Sequence, residues 1–312
     1  MTDAISGMKM FRGHVSHRIL TLSSETICLG GVFNGMKKGK IHIGTSGWHY
    51  PHWVGPFYPK NLSSDQHLSF YTRAFRTVEI NNTFYHLPAV STVEHWLADT
   101  PKNFRFACKG SRFITHMKKL KNPEQSIQRF FNTITVLNKK LGPILFQLPP
   151  KWKMNIQRLE EFLTVLPPPF RYAFEFREES WFAQPVYDVL TKYRAAFCLY
   201  HLAGRWSPEI VTTDFVYIRL HGPGNAYQGK YDAHTIRAWA DKCHRWVQSG
   251  RDVYFYFDND EAGYAPINAL ALQNKVDGLM GKPHETGKKG IGTSKAGNPS
   301  KRTVFKRDSM GI

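Results

Sequence analysis

The fold this sequence predicts is a closed TIM-type (β/α)8 barrel, an α/β architecture in one domain. Two observations carry that expectation. Eight short apolar runs, each ending on a polar or charged residue, recur between His42 and Asn259, and most are separated by room for a helix. Strands that alternate with helices build a parallel sheet, and eight of them close it. The charged residues also gather at the carboxyl ends of the runs, where barrels of this kind keep their chemistry.

The runs are Ile41–Ser46, Thr77–Asn81, Arg105–Lys109, Pro143–Leu148, Tyr172–Arg177, Ala195–Tyr200, Phe215–His221 and Val253–Asn259. Asp65–Arg76 reads as a helix capped by Ser63-Ser64, with Leu68, Tyr71 and Phe75 on one face. Ser91–Leu97 is a short helix, and Pro123–Leu141 a long amphipathic one ended by Gly142. Ile156–Leu166, Pro185–Tyr193, Asp232–Gln248 and Ala265–Gln273 follow. The link Leu202–Asp214 is too short for a full helix.

Side chains alternate along a strand, so parity sorts them. Val78 and Ile80 oppose Glu79 and Asn81. Phe174 and Phe176 oppose Ala173, Glu175 and Arg177. Val216, Ile218 and Leu220 oppose Tyr217, Arg219 and His221. The bulky apolar sets suit the layer under the outer helices, which leaves the charged sets for the barrel interior and mouth. Buried charges need partners, either each other in a salt-bridged plug or a ligand. Their position at the carboxyl ends favours a pocket.

The formal net charge is +18, with +4 in residues 1–40 and +5 in residues 276–312, so the core itself is basic. Anionic partners, small molecules or nucleic acid, fit that balance. No run approaches the roughly 18 apolar residues of a membrane span. The cysteines at 28, 108, 198 and 243 form no C-x-x-C; Cys108 and Cys198, inside expected strands, read as buried free thiols, a usage that fits a cytoplasmic protein. Residues 1–40 read as a loose extension or an over-long gene start, 41–276 as the barrel, and 277–312 as a basic disordered tail.

Glu79 and Glu175 are candidate acid and base groups, and His221 is the natural acid/base candidate beside them, histidine being the side chain suited to proton transfer near neutral pH. Cationic neighbours lower a carboxylate's pKa, which suits a base better than an acid. Asn81, Tyr85, Lys109, His116, Gln147, Arg177, Arg219 and Asn259 are candidate substrate-binding residues at strand ends or in the following loops. The loop His221–Gly229, rooted on Arg219, is the first choice for an anion-binding element, with a lid hinge as its alternative. Gly44–Tyr50 (GTSGWHY) follows the first strand and is neither a Walker loop nor a dinucleotide fingerprint. No H-x-E or H-x-x-x-H spacing supports a metal, the Arg and Lys content repels one, and no cofactor is indicated. No Ser-His-Asp or Cys-His signature stands out.

The motifs IGTSGWHYPHW, TVEINNTFYHLP, FACKGSRFITH, LGPILFQLPP, FEFREESW, DFVYIRLHGP and YFDND, in this order, resemble the domain-of-unknown-function 72 family, also called YecE-like. The resemblance covers about Ile41–Val276. It implies a TIM-type barrel and by itself assigns no activity. The family's polar motif positions fall on the residues named above and on Thr83. One position departs: members similar to this chain usually carry Asp where it has His201.

Three functions compete. One is an enzyme of hydrolase or isomerase type acting on a phosphorylated or otherwise anionic substrate. Another is a nucleic-acid binder or nuclease, stacking bases on Trp48, Trp53 and Trp206. The third is a non-catalytic binding module. A glycosidase-like pair of Glu79 and Glu175 suits a neutral sugar, which the surplus of Arg and Lys disfavours. Oligomeric state is not readable from the sequence.

Overall fold

The structure, a computed structural model, describes residues 37–281. Eight strands form the barrel: β1 (Ile41–Thr45), β2 (Thr77–Ile80), β3 (Arg105–Lys109), β4 (Leu141–Gln147), β5 (Tyr172–Glu175), β6 (Ala196–Leu202), β7 (Phe215–Leu220) and β8 (Asp252–Phe257). All pair in parallel, in ring order β1-β8-β7-β6-β5-β4-β3-β2. The ring closes between β1 and β2, where Ser46 and Glu79 bridge in parallel and the Gly47 N–H donates to the Glu79 carbonyl at 2.8 Å.

Outside lie α1 (His67–Ala74), α2 (Asn82–Tyr85), α3 (Val90–Ala98), α4 (Glu124–Ile134), α5 (Ile156–Thr164), α6 (Gln184–Lys192), α7 (Ala233–Gln248) and α8 (Tyr264–Leu279). Asn155 and Asp232 cap α5 and α7 by accepting from the backbone N–H of Arg158 and Thr235. No helix joins β6 to β7. A two-residue arm, Arg205–Trp206, folds back antiparallel onto His201–Leu202 instead. Among the described residues no helix is long and apolar enough to cross a membrane.

Several expectations are corrected. The helix expected over Pro123–Leu141 ends at Ile134 and passes into a 3-10 stretch, Thr135–Lys140, in which Asn138 takes φ 50°. Strand β4 then starts at Leu141, so Gly142 belongs to the strand rather than to a helix end. The Ser63 side chain accepts no capping hydrogen bond at the start of the turn Ser64–Gln66 that leads into α1. The last helix runs to Leu279, past the expected boundary at 276. Residues 37–40 are fastened to the barrel rather than loose: the Gly39 N–H donates to the Val247 carbonyl, and the Lys40 N–H to Asp252. The rest of the two expected extensions, with Cys28, lies outside the described residues.

Two apolar layers follow the strand parity. Val78, Ile80, Phe174, Phe176, Val216, Ile218 and Leu220 face out and join the core under the helices. A smaller cluster fills the barrel: Ala107, Leu145, Ala173, Ala196, Cys198, Phe215, Tyr217, Tyr254 and Tyr256. Small residues on β3, β5 and β6 face tyrosines on β7 and β8, which is how a closed barrel fills its axis without a void. The tyrosine hydroxyls bring the first polar atoms into this layer: Tyr256 meets Thr77 Oγ1 at 2.8 Å, and Tyr217 donates to Glu79 Oε2 at 2.6 Å. Cys108, Cys198 and Cys243 are buried free thiols.

Candidate functional site

Directly above the tyrosines lies a layer of charge with Arg219 at its centre. Arg219 is fully buried and nonetheless makes hydrogen bonds from every guanidinium nitrogen. Nε donates to Glu79 at 3.0–3.1 Å, and Nη2 to Glu79 Oε1 at 2.8 Å, Asp258 Oδ2 at 2.9 Å and Ser46 Oγ at 3.1 Å. Nη1 donates to Glu175 Oε2 at 2.8 Å. A guanidinium offers five N–H groups in a fixed fork, so one arginine can hold three carboxylates that repel each other. Among the described residues no group of three or more His, Cys, Asp and Glu is arranged to hold a metal ion.

Arg177 is the second cation of the layer. Its Nε donates to Glu175 Oε1, its Nη2 lies 3.2 Å from His221 Nε2, and its guanidinium stacks over Tyr200 at 5.1 Å. His221 Nδ1 is 3.0 Å from Asp258 Oδ2. Its Nε2 lies 3.2 Å from both Arg177 and Arg219, and two guanidinium groups can only donate. The Nδ1 contact is with a carboxylate, which accepts, so Nδ1 carries a hydrogen.

These contacts set the acidities. Burial pushes the Glu175 carboxyl up, but Arg177 and Arg219 outweigh it and hold the group well below the usual carboxylate range. Burial acts the same way on Asp258 and is outweighed by Arg219 and His221. Burial, then the Glu79 charge, pushes the Tyr217 phenol far up, so it donates rather than ionises.

Lys109 differs from all of these. It ends β3 with 8 % exposure, and among the described residues its Nζ has neither a hydrogen bond nor an ion pair. Its contact is the Phe84 ring, 4.2 Å from Nζ to the centroid. Lys140, almost equally buried at 9 %, donates to the carbonyls of Leu97 and Thr100 at 2.6 Å each and to Thr100 Oγ1 at 3.0 Å. Burial, then Arg219, lowers the Lys109 ammonium to about 8. The Thr83 hydroxyl bonds the Lys109 carbonyl at 2.6 Å and fixes the residue's backbone.

The remaining expected residues divide. Gln147, one strand over from Lys109, is 9 % exposed and its amide binds no protein atom among the described residues. Asn81 donates to Ser46 Oγ at 2.7 Å, and its Oδ1 is buried without a partner. His116 stands edge-on to Phe84 and beside Thr115; burial, then Lys109 and Arg112, lowers it to about 4. Tyr85 is 61 % exposed and lines a neighbouring cavity of about 690 Å3, shared with His86, Ser111, Phe113, Gln125 and Arg129.

Four expectations do not fit the geometry. Glu79 is fully buried and both its oxygens are taken by Arg219, Ser46 and Tyr217, so it holds Arg219 in place rather than meeting a substrate. Asn259 points away from the cluster and donates to the Gly229 carbonyl at 2.8 Å and Asn268 Oδ1 at 2.9 Å. The loop after β7 spends its amides on itself: Gly222 N–H goes to Tyr231 OH, Tyr227 N–H to the His221 carbonyl and Gln228 N–H to the Asn225 carbonyl. It covers His221 with the Tyr227 ring rather than cradling an anion. Trp48 and Trp53 are buried at 8 % and 0 %, which removes two of the three rings expected to stack bases.

Asp258 was not singled out as a site residue. Parity along Tyr254, Tyr256 and Asp258 finds it, because residues two apart share a face. Ser46 and Tyr217 carry the same signal. His201 lies on the opposite parity, its ring stacked on Trp206 at 3.7 Å and bonded to Tyr231 at 2.9 Å, so its side chain makes no hydrogen bond to the charge cluster.

A family described as "Protein of unknown function DUF72" matches residues 42–289. The chain is similar to the UPF0759 protein YunF of Bacillus subtilis (strain 168), 25% identical over 274 residues that cover 76% of this chain and 95% of that one. It is also similar to the UPF0759 protein YecE of Escherichia coli (strain K12), 32% identical over 145 residues, 46% of this chain and 51% of that one. Among solved structures, a DUF72 family protein from Thermotoga maritima MSB8 superposes with a TM-score of 0.70 at 27% identity, covering 76% of this chain and 99% of that one.

Proposed function

The chain belongs to the DUF72 family, and from that premise we propose that the barrel mouth is the site of an enzyme that transfers a proton to or from a small anionic substrate. One observation carries this reading: Lys109, a residue nine-tenths buried at a strand's carboxyl end, makes no hydrogen bond or ion pair from its ammonium among the described residues, while the three nearby carboxylates are committed elsewhere. An ammonium whose stem is buried and whose head is open and unpaired is placed to meet a ligand's anion.

The roles follow from the contacts. Arg177, whose Nη1 binds no protein atom among the described residues, receives the substrate's anionic group, and Gln147 offers it an amide. Lys109 is the group at the mouth that titrates near neutrality, and it serves as the acid or base. Glu175 and His221 touch no open space and act as positioning residues: they hold Arg177 and Arg219 at a fixed angle. Isomerisation and hydrolysis both use this equipment.

The test is a thermal-shift screen of the full chain against phosphorylated and carboxylated metabolites, nucleotides and short oligonucleotides, beside Lys109→Met. A ligand that binds the folded state alone raises the melting temperature. A small anion that stabilises the native chain and not the variant supports the proposal. Stabilisation by oligonucleotides alone, unchanged in Lys109→Met, shifts the function to nucleic-acid binding elsewhere on the surface.

A further inference from the structure

We propose that Lys109 is a nucleophile that forms an imine with the carbonyl carbon of the substrate, which makes the substrate an anionic aldehyde or ketone. The inference rests on the anion site described above and adds the covalent step.

Three structural facts support it. An amine that attacks a carbonyl needs a free lone pair and a free line of approach, and Lys109 Nζ has no hydrogen-bond acceptor competing for it. Lys140 shows what this chain does with a buried lysine whose role is structural, namely bind it to three oxygens. The surroundings of Lys109 also favour loss of its proton: burial, first, and Arg219 in the layer beneath it outweigh Glu175, Glu79 and Asp258, and an apolar wall beside a cation is what releases an amine's proton near neutrality. Phe84 is that wall.

The step balances within the protein and its substrate. The Nζ lone pair attacks the carbonyl carbon, the C=O π pair moves to oxygen, and the oxygen takes the proton that nitrogen gives up. The C–O bond of this carbinolamine then breaks with a second proton from solvent, releasing water and leaving a C=N bond to Nζ. The substrate's anionic group lies on Arg177 and Gln147.

The full chain is incubated at pH 7 with glyoxylate, pyruvate or pyridoxal 5′-phosphate, reduced with sodium borohydride, and digested for mass mapping. Borohydride adds hydride to the C=N carbon and fixes the adduct as a secondary amine. A lysine near pKa 8 presents far more neutral amine at pH 7 than an ordinary one, so Lys109 should label at least about tenfold faster than the other lysines. Lys109→Arg keeps the charge and must lose that adduct, while Lys140 stays unlabelled in both chains. Glycolate, lactate and pyridoxine 5′-phosphate, which lack the carbonyl, run in parallel as thermal-shift probes. If they stabilise the chain but Lys109 takes up no hydride-fixed mass, the imine is wrong and the anion site stands. If they do not stabilise it and only exposed lysines are labelled, both are wrong.

Discussion

Arg219 on β7 and Glu79 on β2 meet across the barrel axis through Nε and Nη2, with both carboxylate oxygens engaged and neither residue exposed. The strands that carry them are not neighbours, so this pair ties opposite walls of the ring together. Removing one partner of such a pair leaves the other charged and buried. Arg219→Met therefore strands three carboxylates and should cost about 3–5 kcal/mol in urea unfolding. Glu79→Gln keeps the shape and one acceptor oxygen, and should cost less, about 1–3 kcal/mol. A loss below about 1 kcal/mol for Arg219→Met contradicts the central role assigned to it.

Acid should unfold the protein through the same layer. Glu175 and Asp258 have folded acidities held below their unfolded values. The unfolded chain then binds more protons than the folded one, so their stabilisation is full above the ordinary carboxylate value of about 4 and is lost as pH falls through the folded values. His42 and His116, both lowered to about 4, add a loss that begins as pH falls through the ordinary histidine value of about 6.5, and urea midpoints should then fall further below about 4 as the carboxylates protonate. Glu175→Gln should shallow that fall; an unchanged slope removes Glu175 from the account.

Lys109 should work against stability. Its folded value of about 8 lies below the ordinary lysine value of about 10.4, so the unfolded chain again binds more protons between them and stability rises with pH across that window. Lys109→Met should stabilise the chain at pH 7 by on the order of 3 kcal/mol, an advantage that closes by about pH 10.5. Arg219, Glu175, Glu79 and Asp258 all act on this group. A destabilised Lys109→Met would make the lysine structural.

Gly222 has a narrower role. It takes φ 119°, and a Cβ there lies 2.2 Å from the Gln228 carbonyl oxygen. Gly222→Ala should open the loop over His221, at a cost of about 1–3 kcal/mol. Amide hydrogen exchange at Tyr227, bonded to the His221 carbonyl, should accelerate.

The strands and the inward face of each were legible because both rest on a two-residue period, which the sequence displays openly at Val78/Glu79 and Ile218/Arg219. Asp258 is harder to see, because the run ends on Asn259 and only the face shared with Tyr254 and Tyr256 points to the cluster. The break at Asn138 was not legible: the apolar spacing continues through it, and only the start of β4 at Leu141 forces the turn. Which charges pair could not be read either, since Glu79 and Arg219 are 140 residues apart and meet only when the barrel closes.

The claim that Lys109 at the mouth meets a substrate anion is tested most directly with sulfate, whose charge is constant from pH 6.5 to 9.5. Melting temperatures are measured across that range with and without sulfate, for the native chain and Lys109→Met. The account predicts that sulfate stabilises the native chain more than the variant at pH 6.5, and that the difference fades as pH rises through about 8, where the ammonium loses its proton. Equal stabilisation of the two chains at every pH would contradict it.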